Sequence, residues 1–268
     1  MRIGDLAKLT DVKVETIRYY EKEGFLHPAR KEYGTFREYS IWDVLELLEC
    51  LRYRHMDFTL QEVKLITKMG DLDDILALFS RKEKELNAAS TRKMMLSNRI
   101  KELRDRIQNA PLNIGNYWFK TEEERVGVLC TERYGKEYVE FNTKNEAMIE
   151  WTKVIHLTKT YIKFPLDEIH EQIDHNIWYH TLDVDSFHLL NLPKQEVTIF
   201  PKKLYLHTII DLREKLQLSI HMLEPILAIV EERGLEIDGD IIGDLMIRFY
   251  EKEKWHRYVE LMIPIKQQ

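Results

Sequence analysis

Cysteine is scarce: Cys50 and Cys130 are the only two in 268 residues, and they lie far apart with no metal-ligand spacing. That argues against a disulfide framework and for a reducing cytoplasm. No apolar run reaches eighteen residues, so no membrane span is expected. Charge from the second residue onward argues against a signal peptide. Gly-x-Ser-x-Gly, Gly-x-Gly-x-x-Gly and phosphate-loop motifs are all missing. The chain is therefore expected to be no enzyme and to need no cofactor. His170 and His175 are five apart, about 140° around a helix, where a zinc pair on one helix face needs four. They are expected to be surface histidines, and no metal site is expected. Positive charge in bulk is lacking too, since the net charge is −6. It divides unevenly: residues 1–115 hold 21 Lys+Arg against 19 Asp+Glu, and residues 116–268 hold 19 against 27. Any nucleic-acid binding must come from a few placed cations in the first part. Arg2, Lys8, Lys13, Arg18, Lys22 and Arg37 are the candidates, with Arg52 and Arg54 behind them.

Residues 1–39 hold the most telling pattern. Ile3, Leu6, Ala7 and Leu9 supply a one-sided apolar face at helical spacing, and Thr10-Asp11-Val12 interrupts it. A second helix follows with Val14, Ile17 and Tyr20 inward, leaving Thr16, Arg18 and Tyr19 outward. Gly24 ends it, where a residue tolerant of positive φ is favoured. Two short helices around a tight turn, then a loop bearing Phe36, Arg37 and Tyr39, form a helix-turn-helix reader with a wing.

Thr16-Ile-Arg-Tyr-Tyr-Glu-Lys-Glu-Gly-Phe25, with Gly34-Thr-Phe-Arg-Glu-Tyr39, resembles the MerR family of bacterial transcription regulators over roughly the first 65 residues. The wing carries one residue more than the family's usual Gly-Tyr-Arg-x-Tyr. Ile41 to Val44 and Phe58 to Val63 look like its second helix pair, with Asp57 where a glycine is common. The resemblance implies that helix 13–22 enters the major groove with Thr16, Arg18, Tyr19 and Tyr20 near bases and backbone. It also implies that Phe36, Arg37 and Tyr39 press on adjacent phosphates, and that RNA polymerase holoenzyme is a partner.

Between Asp71 and Pro111 there is neither glycine nor proline. Leu72, Ile75, Phe79, Lys82, Leu86, Ala89, Lys93, Leu96, Ile100, Leu103 and Ile107 recur at steps of three and four. Such a heptad seam over residues 71–110 needs a second copy to bury it. The alternative is a long surface helix packed on its own effector domain. The MerR resemblance favours an antiparallel coiled-coil homodimer. Residues 111–115 form a linker, where Pro111 should stop the helix.

Residues 116–268 change to short strands and separate helices. Strands are expected at about 126–131, 196–200, 204–210, 244–250 and 256–265, and helices at about 143–162 and 212–234. Strand–helix–strand–strand occurs twice, giving an α+β domain with an internal pseudo-repeat, least regular at about 164–195. Phe200-Pro-x-x-Leu-Tyr-Leu-His-Thr208, Gly234 to Gly243 and Val259 to Ile265 resemble the GyrI-like effector domain of multidrug-sensing MerR proteins.

Four of five tryptophans fall in this acidic half, and aromatic faces attract cations. The resemblance points to Glu260 as the carboxylate that would meet a lipophilic cation. By period two it shares a face with Tyr258 and Met262. Trp151, Trp178 and Tyr205 complete the candidate ligand site. The plain alternative is an aromatic core with a solvated acidic rim. The chain thus reads as a ligand-responsive activator that distorts inverted-repeat promoter DNA as a homodimer. A simple DNA-binding repressor and a GyrI-like hydrolase fused to a DNA reader are the alternatives.

Overall fold

Residues 1–30, 37–139, 146–213 and 218–266 are described by a computed structural model, with the backbone alone at Arg30. The chain falls into two units, Met1–Arg92 and Lys93–Gln268. Among the described residues no helix is long and apolar enough to cross a membrane.

The first unit begins with helices α1 (Ile3–Thr10) and α2 (Val14–Lys22). Asp11 takes a left-handed conformation (φ 53°) to turn the chain between them, and Gly24 does the same after α2 (φ 80°). Strands β1 (Ala29–Arg30) and β2 (Arg37–Glu38) pair antiparallel as a small ribbon, Ala29 opposite Glu38. Gly34 and Phe36 lie outside the described residues. Helix α3 (Ile41–His55) starts at a reciprocal cap: Ser40 Oγ accepts from the Asp43 amide, and Asp43 accepts from the Ser40 amide. Asp43 also accepts from the His27 amide at 2.8 Å, tying the preceding loop to this helix. Helix α4 (Leu60–Lys64) repeats the device with Thr59 and Glu62 and runs on into a π-helical turn, Leu65–Met69. Leu6, Ile17, Tyr20, Leu26, Leu47 and Phe58 form the buried centre of this winged helix-turn-helix. At the position before α4 where a glycine is common, Asp57 adopts the left-handed conformation itself, at φ 63°.

Helix α5 (Leu72–Asn113) spans 42 residues, roughly 60 Å at 1.5 Å per residue. It does not stop at Pro111 but ends a few residues later, at Asn113. Proline there forfeits one amide, near an end where carbonyls lose their partners in any case. Side-chain amides make up part of the deficit: Asn113 donates to the Asn109 carbonyl and Asn116 to the Leu112 carbonyl. Lys82 interrupts the apolar seam because it is an anchor, paired with Glu62 and Glu85 and set over the Phe58 ring.

The second unit is built on one antiparallel sheet. Its strands are β3 (Trp118–Glu122), β4 (Arg125–Tyr134), β5 (Glu137–Tyr138), β6 (Lys159–Phe164), β7 (His175–Asp183), β8 (Val197–Phe200), β9 (Lys203–Asp211), β10 (Ile241–Glu251) and β11 (Lys254–Pro264). They lie in the order β3-β9-β11-β10-β6-β7-β4-β5, with β8 also on β4. Helices α6 (Glu146–Thr152), α7 (Leu166–His170), α8 (Val184–Leu189) and α9 (Glu224–Glu232) complete it. The central order is a palindrome. β4-α6-β6-β7 and β9-α9-β10-β11 are two copies of one strand–helix–strand–strand unit, joined where β10 pairs with β6.

The five expected strands are all present. The helix expected at 143–162 ends at Thr152, however, and Lys159–Phe164 is strand. Tyr161, Ile162 and Phe164 are all buried, so this central strand has no alternating pattern to read. The 212–234 helix contracts to a 3₁₀ turn at Ile220–Leu223 followed by α9, with Pro225 in its first turn. Residues 164–195 are regular: they hold α7, β7 and α8.

One sheet face carries Ile162, Phe164, Leu206, Val259, Leu261 and Ile263, packed with Leu223, Ile226 and Val230 from around α9. The other carries Tyr161, Tyr179, Tyr205, Ile242 and Met262, then Ile209, Met246 and Tyr258 with Ala110 of α5. The buried acids Asp244 and Glu260 lie on this second face.

Candidate functional site

Helix α2 presents Glu15, Arg18, Tyr19 and Lys22 to solvent. These occupy positions i, i+3, i+4 and i+7 and therefore form one row. Tyr19 keeps 51% of its surface exposed. Arg2, Lys8 and Lys13 are exposed, and Thr16 is half-buried. Arg52 and Arg54 are exposed near the end of α3. Such a row of one aromatic and two cations can meet both phosphates and base edges.

Two sequence candidates require correction. Tyr20 is buried in the core with its ring edge-on to Phe25, so its side chain packs and does not reach outward. Tyr39 is likewise buried, and its hydroxyl donates to Glu21 Oε2 at 3.2 Å. Burial and the Glu21 charge push the Tyr39 phenol up to about 12. Arg37 Nε donates to the other Glu21 oxygen at 2.7 Å. Glu21 thus gathers both wing residues onto α2. Arg37 remains partly exposed for a further contact, but its first role is to fix the wing. The consensus-like Tyr-Tyr-Glu run contained Glu21, yet nothing in sequence spacing announced partners sixteen and eighteen residues on.

In the second unit, Tyr258, Glu260 and Met262 share one face of β11, with Val259 and Leu261 on the other. Glu260 lies directly across from Asp244 of β10 and from Ile209 of β9. Its Oε1 is 2.8 Å from His207 Nδ1, and its Oε2 is 2.6 Å from Arg106 Nη2. The same Arg106 nitrogen lies 2.8 Å from Asp244 Oδ2. Burial alone would raise the Glu260 carboxyl, but the His207 contact and the Arg106 charge hold it down at about 2. Glu102, opposed by burial, is held at about 2 by Lys159, 2.7 Å away, and by Arg99. Arg106 is raised: desolvation works against it, and the Asp244 and Glu260 charges outweigh that.

These groups border a cavity of about 320 Å³ lined by Glu102, Asp105, Arg106, Asn109, Asn113, Trp118, Ile209, Met246 and Glu260. The lining holds three carboxylates and one guanidinium, with an indole and two apolar side chains; Glu102 is already paired with Lys159 and Arg99, and Asp105 with Arg104. His207 stacks on Trp118, ring centres 5.5 Å apart, which steadies that wall. The arrangement suits a cation with an apolar body.

The other sequence-proposed ligand residues sit elsewhere. Trp151 is fully buried among Val126, Leu182 and Phe187. Trp178 packs toward the α9 side of the sheet and donates to Asn176 Oδ1. Tyr205 borders a separate cavity of about 280 Å³ with Phe200, Lys163 and Lys203. Tyr258 is buried beside the acidic cavity and supports its floor without lining it. His175, expected at the surface, is buried at the start of β7, stacked on Tyr134 and 2.5 Å from Glu168. Arg106, Asp244 and His207 were not foreseen. Asp244 offered the same signal as Glu260, an acid within an apolar strand; Arg106 offered none, being one of many cations on α5.

The sequence profile described as "MerR HTH family regulatory protein" matches residues 1–69. The HTH-type transcriptional regulator ZntR homolog of Haemophilus influenzae is 32% identical over 107 residues, 40% of this chain and 70% of that protein. The mercuric resistance operon regulatory protein of Shigella flexneri is 34% identical over 71 residues, 26% of this chain and 49% of that one. An EcmrR–DNA complex solved by cryo-electron microscopy aligns over the whole of both chains at 15% identity with a TM-score of 0.36, too slight a likeness to bear on the second unit. The first relative, matched over more than two thirds of its length, and the profile across the reader agree with the geometry: the chain belongs to the MerR family of helix-turn-helix transcription regulators.

Proposed function

We propose that this chain binds inverted-repeat promoter DNA as a homodimer and that a lipophilic organic cation in the acidic cavity sets its transcriptional output. The observation that carries the sensing half is Glu260, a buried carboxylate beside Asp244 in a cavity walled by Trp118, Met246 and Ile209. A buried acid pair is costly without a cation. The DNA half is supported by the exposed row Arg18, Tyr19 and Lys22 and by the wing that Glu21 fixes beside it.

The palindromic strand order supports assigning residues 116–268 to the GyrI-like effector class. Along α5, Leu72, Leu76 and Leu86 and, further on, Met94 and Ile100 are exposed. A second copy running antiparallel over residues 71–110 is the economical cover for them. Two-fold symmetry then calls for an inverted-repeat operator. The dimer would bend and untwist an overlong promoter spacer so that RNA polymerase holoenzyme engages both elements. Ligand must favour the distorting conformation by a differential free energy. A cytoplasmic location follows from the DNA target.

The test is binding of tetraphenylphosphonium and of tetraphenylborate to the full-length protein, read by tryptophan fluorescence. The phosphonium should bind and the borate should not. Equal binding of both, or of neither, contradicts the cation reading.

A further inference from the structure

Asp244 and Glu260 face each other directly across the β10–β11 ladder, on one face of the sheet and both largely buried. Like charges in that position repel, so something positive must lie over them. The group that touches both is Arg106, which arrives from α5 and not from the sheet; Lys159 stands further off, 4.0 Å from Asp244, and His207 meets Glu260 alone. Its grip is incomplete. A single nitrogen, Nη2, serves both carboxylates at 2.6 and 2.8 Å, where a paired fork would use two. Arg106 Nη1 and Asp244 Oδ1 are buried with no hydrogen-bond partner among the described residues. The cavity opens beside this clamp, with Trp118 and Met246 on its walls, and Arg106 is the only cation lining it among the described residues.

We propose that Arg106 is an internal occupant of the cation site, a tethered guanidinium that an organic cation must displace from Glu260 and Asp244 before it can bind. This rests on the cation-sensing reading above. Displacement transfers the two carboxylates from the helix to the ligand and frees the last turns of α5, which continues without a break from Leu72. The ligand's differential free energy would then be spent at a defined contact, between α5 and the sheet of its own unit. It also makes Arg106 a determinant of specificity, because weakly charged or hydrogen-bonding ligands cannot replace a guanidinium over two acids.

The experiment compares full-length wild type, R106Q, R106K, E260Q and R106Q/E260Q, each titrated with tetraphenylphosphonium and checked by thermal melting. A site occupied by its own arginine nine-tenths of the time binds ligand about tenfold more weakly than the open site. R106Q should therefore bind at least about tenfold tighter than wild type, and R106K, with a shorter cation, severalfold tighter. Both glutamine variants at Glu260 should lose binding. R106Q that melts cooperatively but binds no tighter than wild type overturns the proposal, since Arg106 is then a support and the cavity reading survives. If R106Q fails to fold, R106K decides: unchanged affinity overturns the proposal and a severalfold gain upholds it. No binding by wild type or by any Arg106 variant sinks the cation reading itself. As a second measure, amide hydrogen exchange over residues 103–113 should quicken when the wild type is saturated; slower exchange contradicts displacement.

Discussion

Arg18 and Glu21 stand three residues apart on α2 and serve opposite ends. Arg18 is free in solvent, whereas Glu21 is engaged by Arg37 and Tyr39. Arg18→Ala should weaken duplex binding and lower the salt slope by about one; an unchanged slope in anisotropy titrations would count against this docking. Glu21→Gln removes a negative charge, so simple electrostatics predicts tighter DNA binding. The staple predicts weaker binding, with a loss of roughly 1–3 kcal/mol in stability by analogy with other charge-assisted contacts, checked by denaturant melts. Glu260 and Glu102 set an acid limit. Both are held at about 2, below the ordinary glutamate value of 4.5. A depressed carboxyl contributes stability that is complete above its unfolded value and lost as pH falls through the folded one. Tryptophan fluorescence, dominated by Trp118, Trp151, Trp178 and Trp255, should therefore report loosening between about pH 4.5 and 2. E260Q should shallow that transition, and an identical acid profile would refute the assignment.

Elements divide by how one-sided their surroundings are. Helix α2 was legible because it is half-exposed, and its inward and outward residues separate at 3.6 per turn. Strands β6 and β7 were not, because they lie mid-sheet with cover on both faces, and apolar or aromatic residues there follow no period. The end of α5 departs from the sequence expectation for a local reason, since Pro111 falls where a lost amide costs little. The acidic cavity was half legible: Glu260 stood out within an apolar strand, while its partner Arg106 lies 154 residues away. No local rule reaches that far. Asp57 offers a test at this scale. At φ 63° an L-residue is strained by about 1 kcal/mol or somewhat more, less for aspartate than for most. Asp57→Gly should raise stability by up to about 1 kcal/mol, and a destabilised variant would show that the carboxylate has a role in the turn.

One chain carries a helix-turn-helix reader, a long helix and a sheet unit with an acidic cavity. The exposed apolar residues Leu86 and Ile100 make dimerisation testable: changing both to glutamate should yield monomers in analytical ultracentrifugation and abolish binding to palindromic duplexes, while a single-domain melt of each unit persists. An unaltered dimer would move the interface off α5. In the proposed function, occupancy of the acidic cavity governs transcription. Run-off transcription from a promoter carrying a palindrome selected by this protein, with and without tetraphenylphosphonium, tests it most directly. The wild type should respond to the cation and E260Q should not, with equal affinity of the two for the DNA. An E260Q protein that responds like wild type, or a wild type indifferent to every lipophilic cation, would contradict it.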